Sequence, residues 1–165
     1  MICLERALFT EYARRYKDTI FRVALNALGS PVDADDIVQE TLLRLLEWQE
    51  PFESEKHVKY WLIRVSLNLC KNELRVPWRR HKTLDDANAI PTFDNPNYSD
   101  LYEEIMRLSE KYRTVLYLFY FEGYSVNEIA DILDIRVTTV TSRLSRARQK
   151  LEFQMTEHME ECTNE

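Results

Sequence analysis

From Arg136 to Lys150 the chain holds five bases and no carboxylate. Thr138, Thr139, Thr141, Ser142 and Ser145 bring short hydroxyls, and Arg143, Arg146 and Arg148 bring guanidinium groups. Small donors and acceptors on the leading turns of a helix, with arginines alongside, suit the base edges and phosphates of a DNA major groove. The alternative is a solvated amphipathic helix in a bundle. Such helices usually mix both charge signs and gain i,i+4 pairs, which an acid-free face forgoes.

Two elements must hold that face in place. Val140, Leu144, Ala147 and Leu151 recur at helical spacing and predict a helix from about Val137 that buries its other side. Upstream, Ser125 and Glu128 stand at capping-box spacing and predict a helix start at Val126. Ile129, Ile132 and Leu133 form its inward face, and the small Ala130 sits where a partner helix approaches. Asp134, Ile135 and Arg136 form the corner, Asp134 being a residue type that tolerates a left-handed backbone. The whole reads as a helix-turn-helix.

A second basic group lies at 56 to 75. Val58, Trp61, Leu62, Val65 and Leu69 predict an inward stripe, and Lys56, Lys59, Tyr60, Arg64, Asn68, Lys71, Asn72 and Arg75 face outward. Bases interleaved with aromatics and asparagines can track phosphates while stacking on or hydrogen-bonding exposed bases, as single-strand binding requires. A charged solvent face is the competing reading.

The net charge of -6 at pH 7 conceals segregation. Residues 31 to 55 hold eight acids against Arg44, and residues 56 to 82 hold eight bases against Glu73. Residues 83 to 104 have six acids and no base, and residues 151 to 165 have five acids and no base. Two basic blocks beside acidic ones point to two nucleic-acid surfaces flanked by faces for other contacts. Catalysis is not expected: His57, His81 and His158 are dispersed, and no phosphate-cradling glycine loop or nucleophile constellation occurs. Cys3, Cys70 and Cys162 are odd in number and lack nearby histidines, so neither a zinc site nor a disulfide framework is expected, and no cofactor. Cys70 reads as a buried small residue. With no signal-peptide pattern and no long uncharged stretch, the protein is expected in the cytoplasm without membrane insertion.

Two glycines and five prolines leave few helix breaks, so the fold class is all-α, with two small helical domains joined by a linker. A first helix spans 3 to 28 and ends at Gly29; Ser30 and Pro31 start a second. Ile37, Val38, Thr41, Leu42, Leu45 and Leu46 give the second helix a wide apolar face, and Pro51 is expected to break it. Phe52, in the connection from Trp48 to Glu55, reads as a staple to the core. The domains are then 1–76, a linker 77–99 with Pro77, Pro91 and Pro96, a second domain 100–151, and an acidic tail 152–165. The second domain opens near Leu101, with Ile105 and Leu108, and then a packing helix carrying Val115, Leu116, Leu118 and Phe119 that ends at Gly123. Met155 and Met159, four residues apart, give the tail a sticky face.

Here the chain resembles a known family. Residues 32–45 and 60–75 are similar to region 2 of the bacterial RNA polymerase sigma-70 family, in its extracytoplasmic-function group. The helix-turn-helix resembles region 4 of the same group, and the two blocks stand in the family's order. The resemblance implies a three-to-four-helix region 2 bundle and a region 4 helix-turn-helix in a sigma factor. Such a factor directs promoter-specific initiation and helps melt the -10 region, in a stress or envelope response. It further implies core polymerase as partner, through the beta-prime clamp helices and the beta flap, together with promoter DNA. It leaves open a membrane-bound or soluble anti-sigma factor, which no residue identifies. By the same resemblance, Asp33, Asp36, Gln39 and Glu40 meet the clamp helices. The -10 element falls to Lys56, Lys59, Tyr60, Arg64, Asn68, Lys71 and Asn72, with Phe52 in the loop that cradles a flipped base; Trp61 reads as core rather than wedge. The -35 element falls to Thr138, Thr139, Thr141, Ser142, Ser145 and Arg146, with Arg143 and Arg148 left to phosphates or packing. The linker would follow the polymerase toward the RNA exit path, its acids mimicking nucleic acid or serving as a bare tether.

Several positions depart from the family pattern. Glycine is frequent where Ser54, Asp134 and Thr138 stand, and a basic residue is usual at Thr141, so promoter preference is not inherited. A transcriptional regulator with the same helix-turn-helix and residues 1 to 75 as a sensor or dimerisation module is the competing function. The basic, aromatic third helix counts against it.

Overall fold

The structure, a computed structural model, describes residues 5–76 and 96–163. Seven α-helices and one π-helical turn make up its regular structure, with no strand among the described residues. The all-α expectation holds. The chain divides into two compact units, 1–89 and 90–165.

The first unit contains α1 (Arg6–Leu28), α2 (Pro31–Glu47) and α3 (Glu55–Leu74). Gly29 closes α1 at φ 70°, and its N–H donates to the Leu25 carbonyl at 2.7 Å. Ser30 then caps α2, its Oγ accepting from the Asp33 N–H at 3.3 Å, with Pro31 in the first turn. Tyr16, Ile20, Leu45, Val58 and Leu62 form a core, with Tyr12, Phe52 and Trp61 packed against it.

The second helix ends at Glu47, where the connection read from Trp48 begins, because Trp48 turns extended at ψ 127°. That turn places its indole 5.0 Å from the Trp61 ring and 6.0 Å from the Phe52 ring. The third helix differs from the sequence reading: it buries more than one stripe, with Ile63, Ser66 and Leu67 covered as fully as Val58 and Leu62, beside the expected Cys70. It packs against both α1 and α2, so a single-face pattern underestimates its burial. Ser66 tolerates this by donating its hydroxyl to the Ile63 carbonyl at 2.9 Å.

The second unit contains α4 (Pro96–Arg107), α5 (Glu110–Leu116), the π-helical turn Tyr117–Phe121, α6 (Val126–Leu133) and α7 (Val137–Thr163). The fourth helix starts at Pro96, inside the stretch read as linker, a position suited to a first-turn proline. Linker residues 77–95 lie outside the described residues. Arg113 pins the corner between α4 and α5. Its guanidinium donates to the carbonyls of Met106 at 3.1 Å and Leu108 at 2.6 Å, closing the end of α4. Burial lowers the pKa of Arg113 from its ordinary value.

The helix-turn-helix follows its predicted design. The Ser125 N–H donates to Glu128 Oε2 at 2.8 Å, and the Glu128 N–H donates to Ser125 Oγ at 3.2 Å. Asp134 takes the left-handed conformation, φ 53° and ψ 50°, and α7 begins at Val137. Ile129, Ile132, Val140, Leu144 and Ala147 are buried together as the core of this pair. The stretch read as an acidic tail continues the last helix: α7 runs unbroken to Thr163.

Candidate nucleic-acid interface

Three surfaces carry the residues singled out above, two on the first unit and one on the second. On α2, Asp36, Gln39 and Glu40 are exposed and Asp33 is half-buried at the cap. Glu40 is paired with Arg44 Nε at 3.2 Å. The sequence reading missed what lies among them. Val32, Leu43 and Leu46 are 72%, 56% and 42% exposed. Val32, Asp36, Gln39, Leu43 and Leu46 follow one another at intervals of four, three, four and three, which is a single stripe on a helix. Leu46, expected inward, is turned out because Thr41 and Leu45 already fill the core side. The signal was legible: six apolar residues between 37 and 46 exceed what one core face uses. An apolar stripe edged by carboxylates and an amide is a protein-docking surface in its chemistry.

On α3, Lys56, Arg64, Asn68 and Asn72 are exposed, and Lys59, Tyr60 and Lys71 are half-buried. Lys56 Nζ lies 5.3 Å from the centroid of the Tyr60 ring, so a cation covers an aromatic at the start of this face. Phe52 sits in the loop before α3, in a cluster of rings: Trp48 stacked at 6.0 Å, Trp61 edge-on at 5.8 Å, Tyr12 at 6.3 Å and His57 at 5.4 Å. The stapling expected of it is present, and Trp61 belongs to the same cluster on the core side. Ser54 caps α3, its Oγ accepting from the His57 N–H at 3.1 Å. Its φ of -161° is ordinary extended backbone, so no glycine is needed there.

On α7, Thr138, Thr141, Ser142, Ser145, Arg146 and Arg148 are exposed, and Thr139 and Arg143 are half-buried. The predicted face therefore exists as one surface, with two distinctions. Thr141 Oγ1 donates to its own helix, to the Val137 carbonyl at 2.9 Å. Arg148 is drawn sideways: its Nε donates to the Tyr120 hydroxyl at 2.7 Å, and its guanidinium lies 5.8 Å and 5.6 Å from the Phe119 and Tyr120 rings. Of the two roles left open for Arg148, the geometry fills packing.

An open hollow of about 370 Å³ adjoins this face, lined by Lys111, Tyr112, Thr138, Thr139, Ser142, Arg143 and Arg146. Three cations and four hydroxyls at one concavity suit an anionic backbone. Lys111 and Tyr112 were not foreseen. They belong to α5, and only tertiary packing brings them beside α7. A larger, mostly apolar groove of about 570 Å³ lies between α4, the π-helical turn and the last turns of α7. Leu101, Ile105, Leu116, Tyr120, Phe121, Met155 and Met159 line it, so the two methionines do form a sticky face. No group of residues that could hold a metal occurs among the described residues, nor a helix long and apolar enough to cross a membrane.

Comparison with known proteins agrees with this architecture. The family model described as Sigma-70 region 2 matches residues 12–80, and that described as Sigma-70, region 4 matches residues 98–151. The ECF RNA polymerase sigma factor SigL of Mycobacterium tuberculosis is 31% identical, over 93% of this chain and 90% of its own length. The ECF RNA polymerase sigma factor SigW of Bacillus subtilis is 29% identical, over 89% and 88%. Among solved structures, the sigma factor RpoE of Bartonella quintana, in complex with the anti-sigma factor NepR, superposes with a TM-score of 0.71 at 22% identity, over 90% of this chain and 96% of that one. CnrH in complex with the cytosolic domain of CnrY gives 0.64 at 22% identity, over 93% and 91%.

Proposed function

Because this chain belongs to the extracytoplasmic-function group of the sigma-70 family, we propose that it binds core RNA polymerase, directs it to promoters and helps open the -10 region. The observation that carries the promoter reading is the acid-free face of α7, joined by Lys111 at one basic hollow. Its leading hydroxyls would meet -35 base edges, while Lys111, Arg143 and Arg146 neutralise the flanking phosphates. The exposed face of α3 would take the separated -10 strand, Lys59, Lys71 and Arg64 on phosphates and Tyr60, Asn68 and Asn72 at bases. Extruding a base costs a few kcal/mol. The ring cluster around Phe52 supports a cradle for it, because a base entering there gains stacking partners already held in place.

Core polymerase would dock at two places. The α2 stripe offers Val32, Leu43 and Leu46 with Asp36, Gln39 and Glu40 to the clamp helices, and the apolar groove of the second unit offers a seat to the flap. An anti-sigma factor, as NepR is for the Bartonella quintana relative, would silence the chain by covering such apolar surfaces. Release of that partner under envelope or other stress is the regulation this reading carries. Two weak contacts on DNA, tethered through one polymerase, gain affinity only where both elements stand at the right spacing.

In vitro transcription with core polymerase over a pool of promoters tests the reading. Start sites that depend on the added chain and share spaced -35 and -10 elements are expected. Absence of any such start, together with binding of the chain alone to duplex DNA as a dimer, would replace it with an ordinary operator-binding regulator.

A further inference from the structure

Thr141 is the fifth residue of α7 and is exposed on the face of the leading turns, between Thr138 and Ser145. Its hydroxyl donates to the Val137 carbonyl at 2.9 Å. A threonine hydroxyl has one proton. With that proton held inside the helix, Thr141 has no donor left for guanine O6 or N7, the acceptors that a basic residue would read. The same bond fixes the side-chain rotamer. A β-branched residue in a helix has few choices of χ1, and the back-bonded one lays Oγ1 against the preceding turn. Cγ2 is then the group left at the outer edge of the side chain. A methyl group offered at base-edge depth in a major groove has one chemical counterpart, the C5 methyl of thymine.

We propose that Thr141 reads a thymine in the -35 element by contact between its Cγ2 methyl and the thymine C5 methyl, and so sets part of the promoter preference of this chain. The proposal rests on the promoter-recognition reading above and names what that reading leaves open. At this position the helix selects by an apolar contact rather than by a hydrogen bond. Loss of one buried methyl corresponds to roughly a fourfold change in occupancy.

The test uses holoenzyme reconstituted from core polymerase and the full chain, on a promoter selected from a random pool by the wild-type protein. Each thymine of the -35 element, on either strand, is replaced singly by uracil, which lacks only the C5 methyl. One position is expected at which uracil lowers initiation about fourfold. Thr141→Val, which keeps the methyl and drops the hydroxyl, should discriminate there as the wild type does. Thr141→Ser and Thr141→Ala should lose discrimination at that position alone, and Thr141→Lys should shift the preferred base toward guanine. Indifference to uracil at every position overturns the proposal, as does uracil sensing that survives in Thr141→Ala. Loss of discrimination in Thr141→Val would also overturn it, because a side chain that keeps the methyl would then no longer sense the thymine methyl. Absence of any chain-dependent transcript from every promoter removes the promoter reading itself, and the proposal with it; the wild-type lanes separate that failure from the others.

Discussion

Replacing both Leu43 and Leu46 by alanine should weaken binding to core polymerase without weakening the fold. In the free chain these side chains are 56% and 42% exposed, so roughly half of each remains to be buried by a partner. Full burial of a leucine side chain is worth about 1.5–3 kcal/mol, so each truncation forfeits about 1 kcal/mol of docking energy. The pair together forfeits about 2 kcal/mol, or roughly thirtyfold in dissociation constant. Fluorescence anisotropy of labelled chain titrated with core polymerase measures the affinity, and thermal unfolding measures the fold. Ile37→Ala, on the buried side of the same helix, is the internal contrast: it should lower stability by about 2–5 kcal/mol through the cavity it leaves. An unchanged affinity in the double variant would refute the assignment of the α2 stripe. A fall in melting temperature as large as that of Ile37→Ala would show that the two leucines belong to the core.

Arg113→Met leaves the carbonyls of Met106 and Leu108 without their guanidinium donor and should cost about 2–4 kcal/mol, read by urea unfolding of the full chain. Ser125→Ala removes one half of a formed capping box and should cost about 1 kcal/mol, whereas Asp134→Gly, which relieves a left-handed non-glycine position, should be neutral or stabilising by up to about 1 kcal/mol. Thermal melts of both variants check this. Arg146→Ala should reduce the salt dependence of -35 duplex binding by about one phosphate contact, while Arg148→Ala, whose side chain is already held by Tyr120, should leave the slope unchanged. Equal slopes in the two variants would contradict their separation.

How far the residues disclosed the structure depended on the range of the interactions involved. The capping box, the left-handed Asp134 and the Ser30 cap are settled within four residues, and all three were legible. The burial of Ile63, Ser66 and Leu67 on α3 was not, because α3 packs against two helices and no local period reveals the second. The connection starting at Trp48 was legible, but the contact of its indole with Trp61, thirteen residues away, was not. For the candidate surfaces, the exposed positions of α3 and α7 were read correctly as faces. Lys111 joined the α7 face only through the packing of α5, whereas the surplus of apolar residues on α2 already pointed to an outward Leu43.

The unbroken course of α7 has a mechanical consequence. Twenty-seven residues of continuous helix make a rod of about 40 Å. Its first turns carry Thr138 to Arg146, and its last turns carry Met155 and Met159 on the wall of the apolar groove. The helix is continuous between them, so the azimuth of one set dictates the azimuth of the other. Each residue added or removed between Arg146 and Met155 would rotate the groove wall by about 100° against the hydroxyl face. Side chains along this rod are free to vary and respell what is read, while its length is phase-locked.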